Sequence, residues 1–183
     1  MLVAIIVLVI IVLLVLWYVG AYNGLVRLRN QCDEAFSTMD VYMKKRFDLI
    51  PNLVATVKGY AKHESETLEK VIAARNAGFT PTPEAMAAED NQITGALRSI
   101  FALSESYPEL KANTNFQELQ SQLEKTEEDI ANSRKYYNAV VKKYNDKCMV
   151  IPSNIVASLG HFEKKQMFEV ENPEERQNVK VEF

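Results

Sequence analysis

The first nineteen residues, Met1 to Val19 (MLVAIIVLVIIVLLVLWYV), form an unbroken apolar run with no charge and no proline. As a helix rising about 1.5 Å per residue, such a run covers about 28 Å, close to the hydrocarbon thickness of a bilayer. It reads as a membrane anchor over residues 1–22, with Leu2, Ile6, Val9 and Leu13 in its apolar body. Trp17 and Tyr18 stand at its C-terminal edge, where amphipathic rings favour the headgroup level. The competing reading is a cleaved secretory signal, which calls for a basic leader, a shorter apolar core and a small-x-small exit. No Lys or Arg precedes the run, and Gly20-Ala21-Tyr22 makes a poor cleavage site, so retention is expected.

Basic residues resist crossing a membrane, and those close to a helix end set its orientation. Arg27 and Arg29 follow the run, then Lys44, Lys45 and Arg46, which places the body in the cytoplasm with the N-terminus outside. Two cysteines, Cys32 and Cys148, fit a reducing compartment better than a disulfide framework. The net charge of −3 is spread along the chain without a basic block, so no nucleic-acid partner is expected. With the anchor set aside the remainder is rather polar, as long amphipathic helices with narrow apolar stripes would be.

The spacing predicts an all-α chain: an anchor continuous with an antiparallel bundle of about four long helices over residues 23–160, a short extra helical turn, and an extended C-terminal tail over 161–183. Leu25, Leu28, Cys32, Ala35, Phe36, Met39 and Met43 recur at steps of three and four, which makes the anchor and the first bundle helix one rod. Gly20 and Gly24 are its weak points, where a swivel is conceivable. At Asp48-Leu49-Ile50-Pro51 either the rod kinks or a new helix begins. A second stripe (Leu53, Val57, Tyr60, Ala61, Leu68, Val71) runs to a stop at Gly78.

Thr82 as cap with Pro83 in the first turn opens a third helix carrying Met86, Ile93, Leu97 and Ile100, which ends before Pro108. Asn115 with Glu118 resembles a capping box for the longest bundle helix, whose stripe of Phe116, Leu119, Leu123, Ile130, Tyr137, Val140, Val141, Tyr144 and Cys148 is close to a coiled-coil heptad rhythm. Ile151-Pro152 ends it, and a turn from Ser153 to Leu159 is closed by Gly160. Phe168 and Val170, then Val179, Val181 and Phe183, alternate with polar residues as a strand does. That pattern is read either as a loose tail or as a strand added to another subunit.

Several spaced series carry a resemblance. Tyr22-Asn23-x-Leu25-Val26-x-x-Arg29 comes first, then Lys45-Arg46-x-Asp48-Leu49-Ile50-Pro51-Asn52-Leu53-Val54, Tyr60-x-x-His63-Glu64 and Ala74-Arg75. Tyr107-Pro108, Asn113-x-Asn115-Phe116, Thr126-Glu127, Arg134-x-x-Tyr137-Asn138, Tyr144-Asn145 and Pro152-Ser153-Asn154 follow in order. Together they resemble the LemA family of bacterial membrane proteins over nearly the whole chain. The one departure noted is Lys45, where an arginine is common.

The resemblance implies one N-terminal helix in the bacterial cytoplasmic membrane, an outward N-terminus, and a cytoplasmic antiparallel helical bundle of unresolved activity. A relative in magnetic bacteria is needed to form an intracellular membrane compartment, which points toward membrane organisation. It supplies no catalytic residues, no cofactor and no metal ligands.

Residue chemistry agrees that no enzyme is expected. Helix-borne di-iron sites need paired Glu-x-x-His motifs, but the chain has two histidines, His63 and His161, and neither stands in that arrangement beside Glu64, Glu124, Glu127 or Glu128. No zinc spacing, phosphate-cradling loop or nucleophile elbow occurs. Arg29, Arg46, Asp48, Asn52, Glu64, Arg75, Glu127, Arg134, Asn138 and Asn145 fall near the apolar stripes, as register-fixing ion pairs and amide bonds would. Tyr60, Tyr107, Tyr136, Tyr137 and Tyr144 suit core or rim packing. Lys44-Lys45-Arg46, about 35 Å beyond the membrane edge on a straight helix, reads as a solvated face. The reading that results is a self-associating membrane scaffold whose partners are the bilayer and its own copies. The alternative is an adaptor for another membrane protein, such as a quality-control protease or an envelope-stress partner.

Overall fold

Helix α1 runs from Leu2 to Tyr60 without a break, so the apolar run and the first amphipathic stripe share one helix. In this computed structural model residues 1–76 and 82–168 are described. The other elements are α2 (Ser65–Asn76), α3 (Pro83–Ser104), α4 (Pro108–Lys111), α5 (Thr114–Met149) and α6 (Ser153–Leu159), with no strand among the described residues. The all-α expectation holds. Gly78, Val170, Val179, Val181 and Phe183 lie outside the described residues.

The chain divides into two compact units that share α1 and α5. Among the described residues, unit 1 takes 1–39 and 133–167, and unit 2 takes 40–76, 82–132 and Phe168. In unit 1 the apolar run is exposed apart from the half-buried Tyr18, and full burial begins at Leu25 and continues at Cys32, Ala35 and Met39. Tyr137, Val140, Val141 and Tyr144 of α5 and Val156 and Ala157 of α6 are buried in the same unit, where Phe36 packs on the Tyr137 ring with centroids 5.7 Å apart. In unit 2 the core gathers Ile50, Leu53, Val57, Leu68, Ile93, Leu97, Ile100, Phe116 and Leu123. Phe116, Leu123, Ile130, Tyr137 and Tyr144, seven residues apart along α5, are all buried, as the heptad spacing predicts.

Helix starts and stops follow local chemistry with two corrections. First, no new helix begins at Pro51: α1 continues through it to Tyr60. Pro51 is exposed, while Ile50, Leu53, Val54 and Val57 are buried around it. Burial of that face, at about 1.5–3 kcal/mol for each large side chain, outweighs the roughly 3 kcal/mol a mid-helix proline costs. The chain breaks instead at Ala61–Glu64, where neither Gly nor Pro occurs.

Second, the cap of α5 is Asn113, whose Oδ1 accepts from the Phe116 amide at 3.0 Å, two residues before the expected Asn115. Gly160 closes α6 as expected, at its C-cap (φ −88), and the left-handed residue follows it at His161 (φ 54). Phe162 N–H donates to the Ala157 carbonyl at 2.9 Å and His161 N–H to Ser158 at 3.3 Å, a Schellman closure. Glycine is required at 160 for a different reason: a Cβ there would stand 2.6 Å from the Phe162 ring. Thr82 caps α3 as expected, accepting from the Ala85 amide at 3.4 Å with Pro83 next.

Candidate functional site

The polar residues singled out by sequence converge on three sites, two in unit 2 and one in unit 1. The first is built on Arg46. Position 46 continues the α1 face of Met43, Ile50 and Leu53, so its side chain is carried inward and is fully buried. Lys44 and Lys45 are exposed, which corrects the solvated-face reading for Arg46 alone. Its Nη2 donates to Asp90 Oδ1 at 2.7 Å and its Nη1 to Glu127 Oε1 at 2.8 Å. Nη1 also reaches Thr94 Oγ1 at 3.3 Å.

Asp90 and Thr94 are one turn apart on α3 and Glu127 lies on α5, so one guanidinium ties three helices. The Nε–H has no acceptor among the described residues. The arrangement fixes register: charge-assisted bonds to acceptors on two other helices are satisfied together in one alignment only. Asp90 is buried, Glu127 keeps a 36% exposed side chain and Thr94 is half-buried, so the network meets water on the Glu127 and Thr94 side. That edge opens on a shallow groove lined by Thr94, Leu97, Arg98, Phe101, Leu123 and Glu124.

The second site holds the break between α1 and α2. Tyr107 Oη donates to Glu64 Oε1 at 3.2 Å, and Asn113 Nδ2 donates to Tyr60 Oη at 2.8 Å. The Tyr107 hydroxyl is held above its ordinary pKa by partial desolvation and then by the Glu64 carboxylate. Pro108 opens α4 beside this corner, and Phe116 packs edge-on to Phe101 with ring centroids 6.3 Å apart. Tyr60, Glu64, Tyr107 and Asn113, far apart in sequence, are therefore one cluster that joins the α1 end to the α3–α5 connection.

The third site straps the chain after α6 onto unit 1. Tyr144 Oη donates to the Glu163 carbonyl at 2.9 Å and Tyr137 Oη to the Gln166 carbonyl at 2.8 Å. Between them the Asn145 side chain pairs with both backbone groups of Lys165, at 2.8 and 2.9 Å, as a neighbouring strand would. Lys165 Nζ reaches Asp33 at 2.6 Å. Phe162 packs edge-on to Tyr22 at 5.3 Å, and Arg29 lies over its ring at 5.3 Å.

Burial pushes both Tyr137 and Tyr144 up to about 12, with Cys32 and Asp33 adding to the effect at Tyr137. The Cys32 and Cys148 thiols are raised as well, chiefly by burial, so neither is primed as a nucleophile.

The remaining predicted residues differ in burial. Asp48, Pro51, Asn52 and Arg75 are exposed, and Arg134 and Asn138 are half-buried. Pro152 follows a cis peptide at the α5–α6 corner. Of the residues weighed for metal chemistry, His63, Glu124 and Glu128 are exposed, and no group of three or more metal-ligating side chains is gathered among the described residues. Sequence reasoning missed Asp90, Thr94, Asp33, Phe162 and Lys165. Asp90 had a signal, a carboxylate on the stripe of Met86, Ile93 and Leu97.

The family model described as the LemA family matches residues 35–183. A curated relative, Protein LemA of Metamycoplasma hominis, is 29% identical over 145 residues, which cover 76% of this chain. The chain spans 65% of that relative's length. The family match begins beyond the apolar run and takes in all three sites, apart from Asp33 and the Tyr22 and Arg29 contacts to Phe162.

Proposed function

The chain belongs to the LemA family, and from that premise we propose that it is a membrane-anchored helical scaffold that self-associates and organises the bacterial cytoplasmic membrane without catalysis. The observation that carries this reading is that the helix long and apolar enough to cross a membrane is the same helix that builds the core of unit 1. A separate anchor on a flexible linker would let the body tumble. Here Leu25, Cys32, Ala35 and Met39 lock α1 into unit 1 directly, so the bilayer fixes the pose of that unit. Copies held in one pose in one membrane can meet through the same surface repeatedly, which is the condition for tiling or curving it.

The body lies on the cytoplasmic side in this reading, because Arg27, Arg29, Lys44 and Lys45 follow the run. The polar sites serve as architecture, consistent with their burial and with acceptors that are already occupied. Cross-linking in native membranes and sizing in mild detergent test the proposal. The expected result is a discrete species well above monomer mass; monomer alone across a concentration series rejects it. A foreign protein recovered in fixed stoichiometry, with no self-association, would favour the adaptor reading. Deleting Val179 to Phe183 should weaken assembly at unchanged helix content, and unaltered assembly would remove the tail from the account.

A further inference from the structure

Around α6 lies an apolar surface that the fold leaves uncovered. The helix turns Val156 and Ala157 inward, yet Ile155 and Leu159 are 54% and 65% exposed. Ile151, 79% exposed, precedes them at the same spacing of four, and Val150 beside it is also exposed. Single exposed aliphatic residues are ordinary, but several large ones recurring on one short helix and its approach form a patch that calls for an occupant. The position of the patch says which. Val150 and Ile151 line one groove, of about 390 Å³, together with Trp17 and Ala21 of α1.

Trp17 closes the apolar run, so when the run spans a bilayer this groove opens at the level of the headgroups. Lys143 and Lys147, one turn apart on α5, line the same groove, with Asp146 its only acid. Apolar side chains at interfacial depth with lysines above them match the surface of an anionic membrane, where long amine side chains reach phosphate while their stems stay in the apolar layer.

We propose that the α5–α6 corner is a second membrane contact and a binding site for anionic phospholipid. Val150, Ile151, Ile155 and Leu159 enter the interfacial layer, and Lys143 and Lys147 hold the lipid phosphate with an acyl chain laid along Trp17 and Ala21. The proposal rests on the reading of Met1–Val19 as a spanning helix, and it adds a lipid preference and a second point of attachment that a lone helix would lack.

The test uses the whole chain in nanodiscs of phosphatidylglycerol and phosphatidylcholine in equal parts, with bromine on the acyl chains of one lipid or the other. Trp17 is the sole tryptophan, so its emission reports the groove directly. Brominated phosphatidylglycerol is expected to quench it at least twofold more than brominated phosphatidylcholine, and Lys143→Glu with Lys147→Glu should erase the difference at unchanged helix content. Equal quenching in the unaltered chain, or a preference that survives the double substitution, overturns the lipid site while leaving the anchor standing. No quenching by either lipid overturns the spanning reading and the lipid site together. In a second variant, Trp17→Phe with Ile155→Trp, the reporter sits on α6. Quenching there supports interfacial seating, and water-like, unquenched emission overturns it.

Discussion

Arg46 and Asp90 are both almost wholly removed from water, so truncating Arg46 takes the cation away from a buried carboxylate, while truncating Asp90 leaves the guanidinium its bond to Glu127. Arg46→Ala should therefore cost about 3–5 kcal/mol of stability, whereas Glu127→Ala, at the wet edge of the network, should cost under about 1 kcal/mol. Denaturant unfolding followed by circular dichroism separates the two; equal losses would show that Glu127, not Asp90, is the dominant partner. The motif pointed to Arg46 and Glu127, but their meeting with Asp90 spans a sequence separation that no local spacing encodes. Tyr137 and Tyr144 titrate near 12 in the folded chain because burial disfavours the phenolate, while unfolded tyrosines ionise near 10. Between those values the folded state binds more protons than the unfolded one. The contribution of these tyrosines is thus fully present below about pH 10 and is lost as pH rises toward 12. Thermal melts across that window should show a falling midpoint, less steep in Tyr137→Phe, and phenolate absorbance should rise together with unfolding.

Amphipathic spacing located most elements correctly because burying a face is a local pattern repeated over many residues, and proline and threonine at a helix start act within one turn. The failures occur where a distant partner overrides that logic. Pro51 reads as a boundary, yet the buried residues around it hold α1 together. The real break at Ala61–Glu64 has no local breaker and is held by Tyr107 and Asn113, which belong to the α3–α5 connection. Asn113 likewise becomes the cap of α5 while its amide also donates to Tyr60, a tie that Asn115, being exposed, does not make. The chain after α6 shows the same dependence. Residues 162–167 have no secondary structure of their own, and three α5 side chains supply the bonds that a sheet would otherwise give them. Asn145→Ala removes both bonds to Lys165 at once, leaving a half-buried amide and carbonyl to find other partners. The expected outcome is protease cleavage within residues 162–168, absent from the parent chain, at unchanged helix content. Full resistance would show that Phe162 and the tyrosines hold the segment unaided.

At the scale of the whole molecule, the sequence already separates a part that must leave water from a part that must not, because an uncharged apolar run of that length is legible without any partner. What it could not disclose is where the folded body begins. The structure places that point late: residues 1–16 are exposed, Trp17 lines a surface groove with Val150 and Ile151, Tyr22 packs on Phe162, and the first core residue is Leu25. A chain lacking Leu2 to Val19 should therefore fold almost as the parent does. Its helical stripes, its Arg46 network and the strap on α5 all lie downstream, so the stability lost should stay within about 0.5 kcal/mol, the range of surface changes away from packed features. Circular dichroism and denaturant melts of the truncated chain in plain buffer, against the parent in mild detergent, measure this. A truncated chain that melts far earlier would show the apolar run to be part of the folding core. One that folds normally but no longer sediments with membranes would assign the run to attachment alone, and the size of any assembly it still forms would then report how much self-association the body achieves without a bilayer to align it.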